Sequence, residues 1–233
     1  MKRFKYITMA ALAIVSLLSC SKKDDDKPTP PVPPTPPTQL KTVAETKVDT
    51  YTVRLQNTSG TFVMGYNDVT LSVTDASGKE VDLQAATFTP WMDMYKGDGK
   101  GGFSKEIMHT HTCPHTALAK EGNVWKSQVL FQMMTAPSGV WFGTITFRAA
   151  GKDYEYKRLD FTVVEQTNKA LGKVRNFRVF TEGGNSKGQK HIYAVIAPEH
   201  PKVGENDLVL GIWKMQSMES FPEVEGLTVG VAV

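Results

Sequence analysis

Several features that would identify common classes of protein are missing from this sequence. No stretch has the periodicity of a long amphipathic helix. No Ser/His/Asp ordering, pair of catalytic carboxylates or His-Glu-x-x-His motif occurs, so nothing indicates an enzyme. Charge of one sign is also lacking, with 27 Lys+Arg against 24 Asp+Glu, and three of the basic residues lie in the first nineteen. The rest of the chain carries 24 of each sign, which gives no electrostatic reason to expect nucleic acid as a partner.

Cysteine is scarce, and the first of only two cysteines, Cys20, ends a signal sequence. Lys2, Arg3 and Lys5 precede the apolar run YITMAALAIVSLL, which is too short and too early to be a membrane-spanning helix. The ending LLSC resembles that of bacterial lipoprotein signals. This resemblance implies cleavage after residues 1–19 and a lipid on Cys20 that attaches the protein to a membrane. A plain secretory signal with an incidental cysteine is the alternative.

Residues 20–45 are predicted to form a charged and proline-rich linker. Its first part, SKKDDDK, is either a solvated spacer or, by resemblance, a signal that places lipoproteins on the surface of some Gram-negative bacteria. We therefore expect attachment to the bacterial outer membrane, facing either the cell surface or the periplasm. The segment Pro28–Gln39 favours extended polyproline II, and about ten such residues span roughly 30 Å.

The rest of the chain alternates apolar and polar residues over strand lengths, which predicts an all-β fold. We predict an immunoglobulin-like antiparallel β-sandwich at residues 46–168, followed by a truncated second sandwich at 169–233. The second prediction depends on an internal repeat, because Val63–Asp75 resembles Lys202–Lys214 in a Gly-x-Asn-Asp motif followed by alternation. Since the chain stops at Val233, we also expect it to be a fragment or a natural truncation.

Soft electron-donating side chains are concentrated in one part of the first sandwich. They are Met92, Met94, Met108, His109, His111, Cys113 and His115. Side chains two residues apart on an extended chain share a face, so the two nearby methionines share one side and the four odd-numbered residues after Met108 share another. Two such arms joined by a glycine-rich loop could close over one ion.

The types of donor atom narrow the choice of metal. Thioether and thiolate sulfur together with imidazole favour copper, especially Cu(I), and leave zinc as the alternative. The paired methionines favour copper, because zinc has little use for thioethers. Cys113, as a lone thiol outside the cytoplasm, either binds the metal, pairs between molecules or is buried.

The arrangement from Val63 to Val164 resembles the YtkA-like/FixH-like β-sandwich domains, with a second copy that starts near Ile192. The shared features are the Gly-x-Asn-Asp strand, a strand that enters PWMDM, a histidine segment and PSGVWFGTITF. This resemblance implies copper handling near the bacterial envelope, with Met92, Met94, His109 and His111 as the matching ligands. The long glycine-rich insertion and the missing half of the second copy depart from the family pattern.

The sequence therefore predicts a membrane-attached lipoprotein that binds copper for buffering, resistance or delivery, with a copper-transport or copper-delivery protein as its partner. The alternative is an adhesion or glycan-associated surface lipoprotein that uses an immunoglobulin-like sandwich and no metal. Fold alone does not choose between them.

Overall fold

The computed structural model describes residues 39–166, 177–184, 187–197 and 203–224. The predicted signal peptide, Cys20, most of the predicted linker and the end of the second repeat lie outside these residues. Within the described parts of the chain, no helix is long and apolar enough to cross a bilayer.

Residues 39–166 form two antiparallel sheets and one short parallel pair. The strands are β1 (Lys41–Val48), β2 (Tyr51–Asn57), β3 (Phe62–Val63), β4 (Gly65–Thr74), β5 (Ala85–Gly97), β6 (Phe103–His111), β7 (Ala119–Glu121), β8 (Val124–Phe131), β9 (Gly139–Ala149), β10 (Lys152–Phe161) and β11 (Val163–Val164). The first sheet has the order β1-β2-β4-β8-β7 and the second β10-β9-β5-β6. Strands β3 and β11 pair in parallel. This arrangement confirms the predicted all-β, sandwich-type fold.

The two sheets pack face to face through alternate residues of their strands. Along β9, Trp141, Ile145 and Phe147 are buried while their neighbours are partly exposed, as expected of a strand with one face in the core. Trp141 meets Phe131 of the opposite sheet edge to face, with ring centroids 4.9 Å apart. Aromatic contacts of this kind fill the space between the sheets.

The first strand begins earlier than the sequence suggested. Strand β1 starts at Lys41, inside the segment 20–45 assigned from sequence to the linker, and pairs with β2 over its whole length. It is an edge strand with mostly exposed polar side chains, so it lacks the alternation by which the other strands were recognised. Only Val43, Ala44 and Val48 pack against the core.

The described residues beyond 176 include a further, smaller sheet. Its strands are β12 (Phe177–Thr181), β13 (Lys190–Ala197) and β14 (Val209–Lys214), which pair antiparallel in that order, with a 3-10 turn at Glu182–Gly184. The sheet repeats the order of β1, β2 and β4, in which three antiparallel strands also follow one another.

The Gly-x-Asn motif of the internal repeat shares two local features in both copies, although residues 65–67 lie in β4 and residues 204–206 precede β14. Gly65 and Gly204 both have positive φ, at 114° and 101°. In each copy the asparagine two residues later donates from Nδ2 to the glycine carbonyl, at 2.9 Å for Asn67 and 3.0 Å for Asn206. The two shared features have a physical basis, since glycine permits the positive φ and the asparagine side chain bonds the backbone beside it.

The two copies also agree after the repeated strand. Thr74 forms an isolated bridge with Glu80, and the equivalent Trp213 forms one with Glu223. The carbonyl one residue before each bridge accepts a backbone hydrogen bond from the returning chain, at 2.9 Å in the first copy and 3.0 Å in the second. The described part of the second copy thus follows the first beyond the matched motif.

We predict that Asn67→Ala destabilises the protein by about 2–3 kcal/mol, because it leaves buried backbone groups without partners. The Asn67 side chain bonds both the amide and the carbonyl of Val63 as well as the carbonyl of Gly65. Asn206→Ala is the matched control and should cost less, because Asn206 is less buried. Urea unfolding followed by circular dichroism measures both, and equal losses would contradict the prediction.

Candidate metal centre

The β5–β6 hairpin brings four of the predicted donor residues onto one face. Met92 pairs with His111 and Met94 pairs with His109. Directly opposed residues of antiparallel strands point to the same side, and so do residues two apart on one strand. Met92, Met94, His109 and His111 therefore share one face, here called the Met/His face.

The Met/His face lies at the rim of the core. Met92 is fully buried, whereas Met94, His109 and His111 are half-buried. The His109 and His111 rings have centroids 5.8 Å apart, and His111 meets Trp141 edge to face at 6.0 Å. The inner donor is thus shielded by the core, while the outer ones remain accessible to solvent.

Gly139 gives the two methionines the room that they occupy. It pairs with Met94 across β5 and β9. A Cβ atom at Gly139 would lie 2.7 Å from Cε of Met92 and 2.8 Å from Sδ of Met94, closer than such atoms approach. Both side chains therefore pack over the bare glycine backbone, which holds them next to each other.

Burial and hydrogen bonding act on the protonation of the His111 ring. Burial is the main cause that lowers its pKa from the ordinary value of 6.5, the positive charge of a protonated His109 lowers it further, and a hydrogen bond to Thr112 opposes both. Nδ1 of His111 lies 2.9 Å from the Thr112 carbonyl, which only accepts, so Nδ1 carries the proton. Nε2 is then left with the free lone pair that a metal requires.

A clamp on the opposite face of the same hairpin fixes its register. Asp93 stands between the two methionines and pairs with Thr110, which stands between the two histidines. The Asp93 side chain is only 3% exposed, accepts from Oγ1 of Thr110 at 2.6 Å and pairs with Nη1 of Arg158 at 2.6 Å. Arg158 also lies over the Phe142 ring, 4.2 Å from its centroid. We call Asp93, Thr110 and Arg158 the Asp93 clamp.

The glycine-rich insertion closes as an ordered hairpin turn. The Asp98 carboxylate accepts from the amides of Lys100 and Gly102, at 2.8 and 2.9 Å, and these bonds lower its pKa. Gly102 in turn accepts from the Asp98 amide at 3.0 Å. The insertion that departs from the family pattern therefore joins the two arms without separating the Met/His face.

Met108 does not join the Met/His face. The pairing shifts between Met94 with His109 and Tyr95 with Ile107, so Met108 is the unpaired residue of a β-bulge. Its side chain is 59% exposed.

Cys113 and His115 also lie apart from that face, because the chain leaves the sheet after His111. The Pro114 carbonyl accepts from the Leu130 amide at 2.8 Å, and His115 forms a bridge with Val129, so this segment has crossed to the other sheet. Nδ1 of His115 lies 2.7 Å from the Cys113 carbonyl. The alternation expected through residues 109–115 therefore holds only as far as His111.

Cys113 is buried at the crossing point. It is 1% exposed, and burial raises the pKa of its thiol well above the ordinary value. The thiol is therefore enclosed by core side chains and lies away from the solvent-accessible Met/His face. Of the roles predicted for this lone cysteine, the structure agrees with the buried one.

The residue types present fit a soft metal through the methionines. Among the described residues, no three or more His, Cys, Asp or Glu side chains lie together in a way that could hold a metal ion. A site on the Met/His face would therefore use two imidazoles and depend on thioether sulfur for its other donors. Such a set suits Cu(I) and does not suit zinc.

No protein-family model, curated protein or solved structure matches this chain. The resemblance to the YtkA-like/FixH-like domains therefore remains a prediction.

The Asp93 clamp was missed in the sequence, although a signal for it was present. The segments MDM and HTH each place one polar residue between two donors. The period that puts the donors of each arm on one face puts Asp93 and Thr110 on the opposite face of their own arms, and the pairing of the arms brings them together. Arg158 is distant in sequence, and only the pairing of β9 with both β5 and β10 brings it close.

We predict that Arg158→Met destabilises the protein by about 2–4 kcal/mol, because it leaves the buried Asp93 carboxylate without its charged partner. The matched control is Lys126→Met, which removes an exposed ion pair with Glu121 and should cost under about 1 kcal/mol. Urea unfolding compares the two variants. Equal losses would show that the Asp93 clamp is not a stabilising interaction.

We predict that Cys113 in the native protein resists alkylation by iodoacetamide, even when the pH is raised to about 9, because its thiol is buried and its pKa is raised. Mass spectrometry of the digested protein measures the alkylation of Cys113 separately from that of Cys20. In urea the same residue should react readily, and in a Met108→Cys variant the exposed position should react without urea. Rapid native alkylation of Cys113 would contradict its burial.

Proposed function

We propose that this chain is a membrane-attached bacterial lipoprotein that binds copper, Cu(I) in preference to zinc, on the Met/His face. The observation that carries the proposal is the cross-strand pairing of Met92 with His111 and Met94 with His109. Two thioethers and two imidazoles on one face make a soft donor set. The proposed role is buffering, resistance or delivery of copper.

The proposed ligand set is smaller than the set of candidate residues in the sequence. It contains Met92, Met94, His109 and His111. Met108 is left out because it lies in the bulge, His115 because it pairs with the other sheet, and Cys113 because it is buried where the chain crosses to that sheet. These four residues are also those implied by the family resemblance.

Thioether donors suit the proposed compartment. A methionine sulfur binds a metal without losing a proton, whereas a thiolate must first be deprotonated and forms disulfides outside the cytoplasm. Half-burial of Met94 and the two histidines would leave a bound ion reachable by a partner. We propose a copper-transport or copper-delivery protein as that partner.

Attachment to the outer membrane belongs to the same proposal. It depends on the predicted lipid at Cys20 and on the proline-rich segment that would hold the sandwich clear of the membrane.

The alternative, an adhesion or glycan-binding module, is favoured by one observation. Phe180 and Tyr193 expose neighbouring rings on the small sheet, with centroids 6.1 Å apart. Exposed aromatic faces of this kind can stack on sugar rings. Glycan binding that survives removal of the Met/His donors would support this alternative.

We predict that the full chain, purified in detergent, binds Cu(I) in competition with a chromophoric chelator. A variant combining Met92→Leu, Met94→Leu, His109→Gln and His111→Gln should lose more than about 100-fold in affinity, because even the partners that orient metal ligands contribute 10–100-fold. Leucine keeps the volume of methionine and limits the effect on folding.

The matched control is Met134→Leu, which replaces an exposed methionine outside the Met/His face and should leave the affinity unchanged. Equal Cu(I) affinity in the fourfold variant and the original chain would overturn the proposed function.

A further inference from the structure

The loop after β14 is fastened to the end of β6, beside the Met/His face. The Met218 carbonyl accepts a hydrogen bond from the Thr112 amide at 3.0 Å. Thr112 directly follows His111, so standard bond lengths keep the Cα atoms of His111 and Met218 within about 8 Å of each other. The side chains of methionine and histidine are both long enough to meet across such a distance.

The same loop is held in a defined turn by its own hydrogen bonds. The amides of Gln216 and Ser217 both donate to the Ser220 carbonyl, at 3.0 and 3.2 Å, and the Glu219 amide donates to Oγ of Ser217 at 3.1 Å. Gln189 of the small sheet bonds the Met215 carbonyl through Nε2 at 2.8 Å. Met218 is therefore presented from a fixed turn close to the end of β6.

Met218 does not have the surroundings of a core methionine. Its side chain is 43% exposed, while Met92 is fully buried. The turn borders an open depression of about 370 Å³, whose lining includes Met215 and Met218. An exposed thioether whose backbone lies close to that of a half-buried histidine has the chemistry of a soft-metal ligand.

We infer that Met218 supplies a further thioether to the copper ion bound on the Met/His face, so that the small sheet completes the site of the sandwich. This inference rests on the proposed function. The small sheet would then be part of the copper site as well as a structural repeat.

The test uses the full chain in detergent with ¹³C-labelled methionine methyl groups, titrated with Ag(I) as a redox-stable substitute for Cu(I). We expect the methyl signals of Met92, Met94 and Met218 to shift together with one midpoint. Met134, an exposed methionine that is not among the proposed ligands, should not shift.

A second measurement compares Cu(I) affinities. Met218→Leu should lower the affinity about 10-fold, the low end of the range for residues that support a metal site. Met215→Leu is the matched control from the same turn and should have no effect on the affinity.

The outcomes separate the two proposals. If Met92 and Met94 shift while Met218 does not, and Met218→Leu binds as tightly as the original chain, the inference is overturned and the proposed function stands. If none of the three signals shifts, both are overturned. A shift of Met218 alone overturns the inference, because the ion would then not be shared with the Met/His face.

Discussion

The candidate site depends on the register of β5, which pairs with β6 to form the Met/His face and with β9 to place that face against the core. Side chains alternate along a strand, so a slip of one residue between β5 and β9 would exchange the two faces of β5. The methionines would then point outward and Asp93 would enter the core without its arginine. A carboxylate buried without a partner costs several kcal/mol. Asp93 therefore stabilises the native register and destabilises a register slipped by one residue.

Much of the fold could be predicted because most strands carry their own alternation of apolar and polar residues. Alternation of apolar and polar residues predicted the all-β fold, and Ala150 and Gly151, both with positive φ, form the tight turn between β9 and β10. Strand β1 was missed because an edge strand buries little and need not alternate. The Met/His pairing was half predicted: alternation gave the face within each arm, but only the structure gives the register between the arms.

In the segment after His111, the alternation of side chains no longer predicts which side each residue occupies. Alternation predicted a common side for residues 109–115, but this holds only while the chain stays in one sheet. The Thr112 amide bonds Met218, its hydroxyl bonds the Pro90 carbonyl, and the chain then joins β8 of the other sheet. These partners are distant in sequence, so the point of crossing is a tertiary property. Burial of Cys113 follows from the crossing and has no signal of its own in the sequence.

The thiol, thioether and imidazole side chains differ in how protonation affects them as metal ligands. A thiol at the crossing point is kept protonated by burial, whereas a thioether needs no deprotonation wherever it lies. Imidazole is the one proposed ligand for which protons compete with the metal. Burial reduces this competition by lowering the pKa of His111. A lowered pKa means that the folded chain binds fewer protons than the unfolded chain near pH 6.5, so this contribution to stability is present above that pH and is lost below it. Protonation of His111 in acid would therefore both destabilise the fold and block the imidazole nitrogen that is proposed to bind copper.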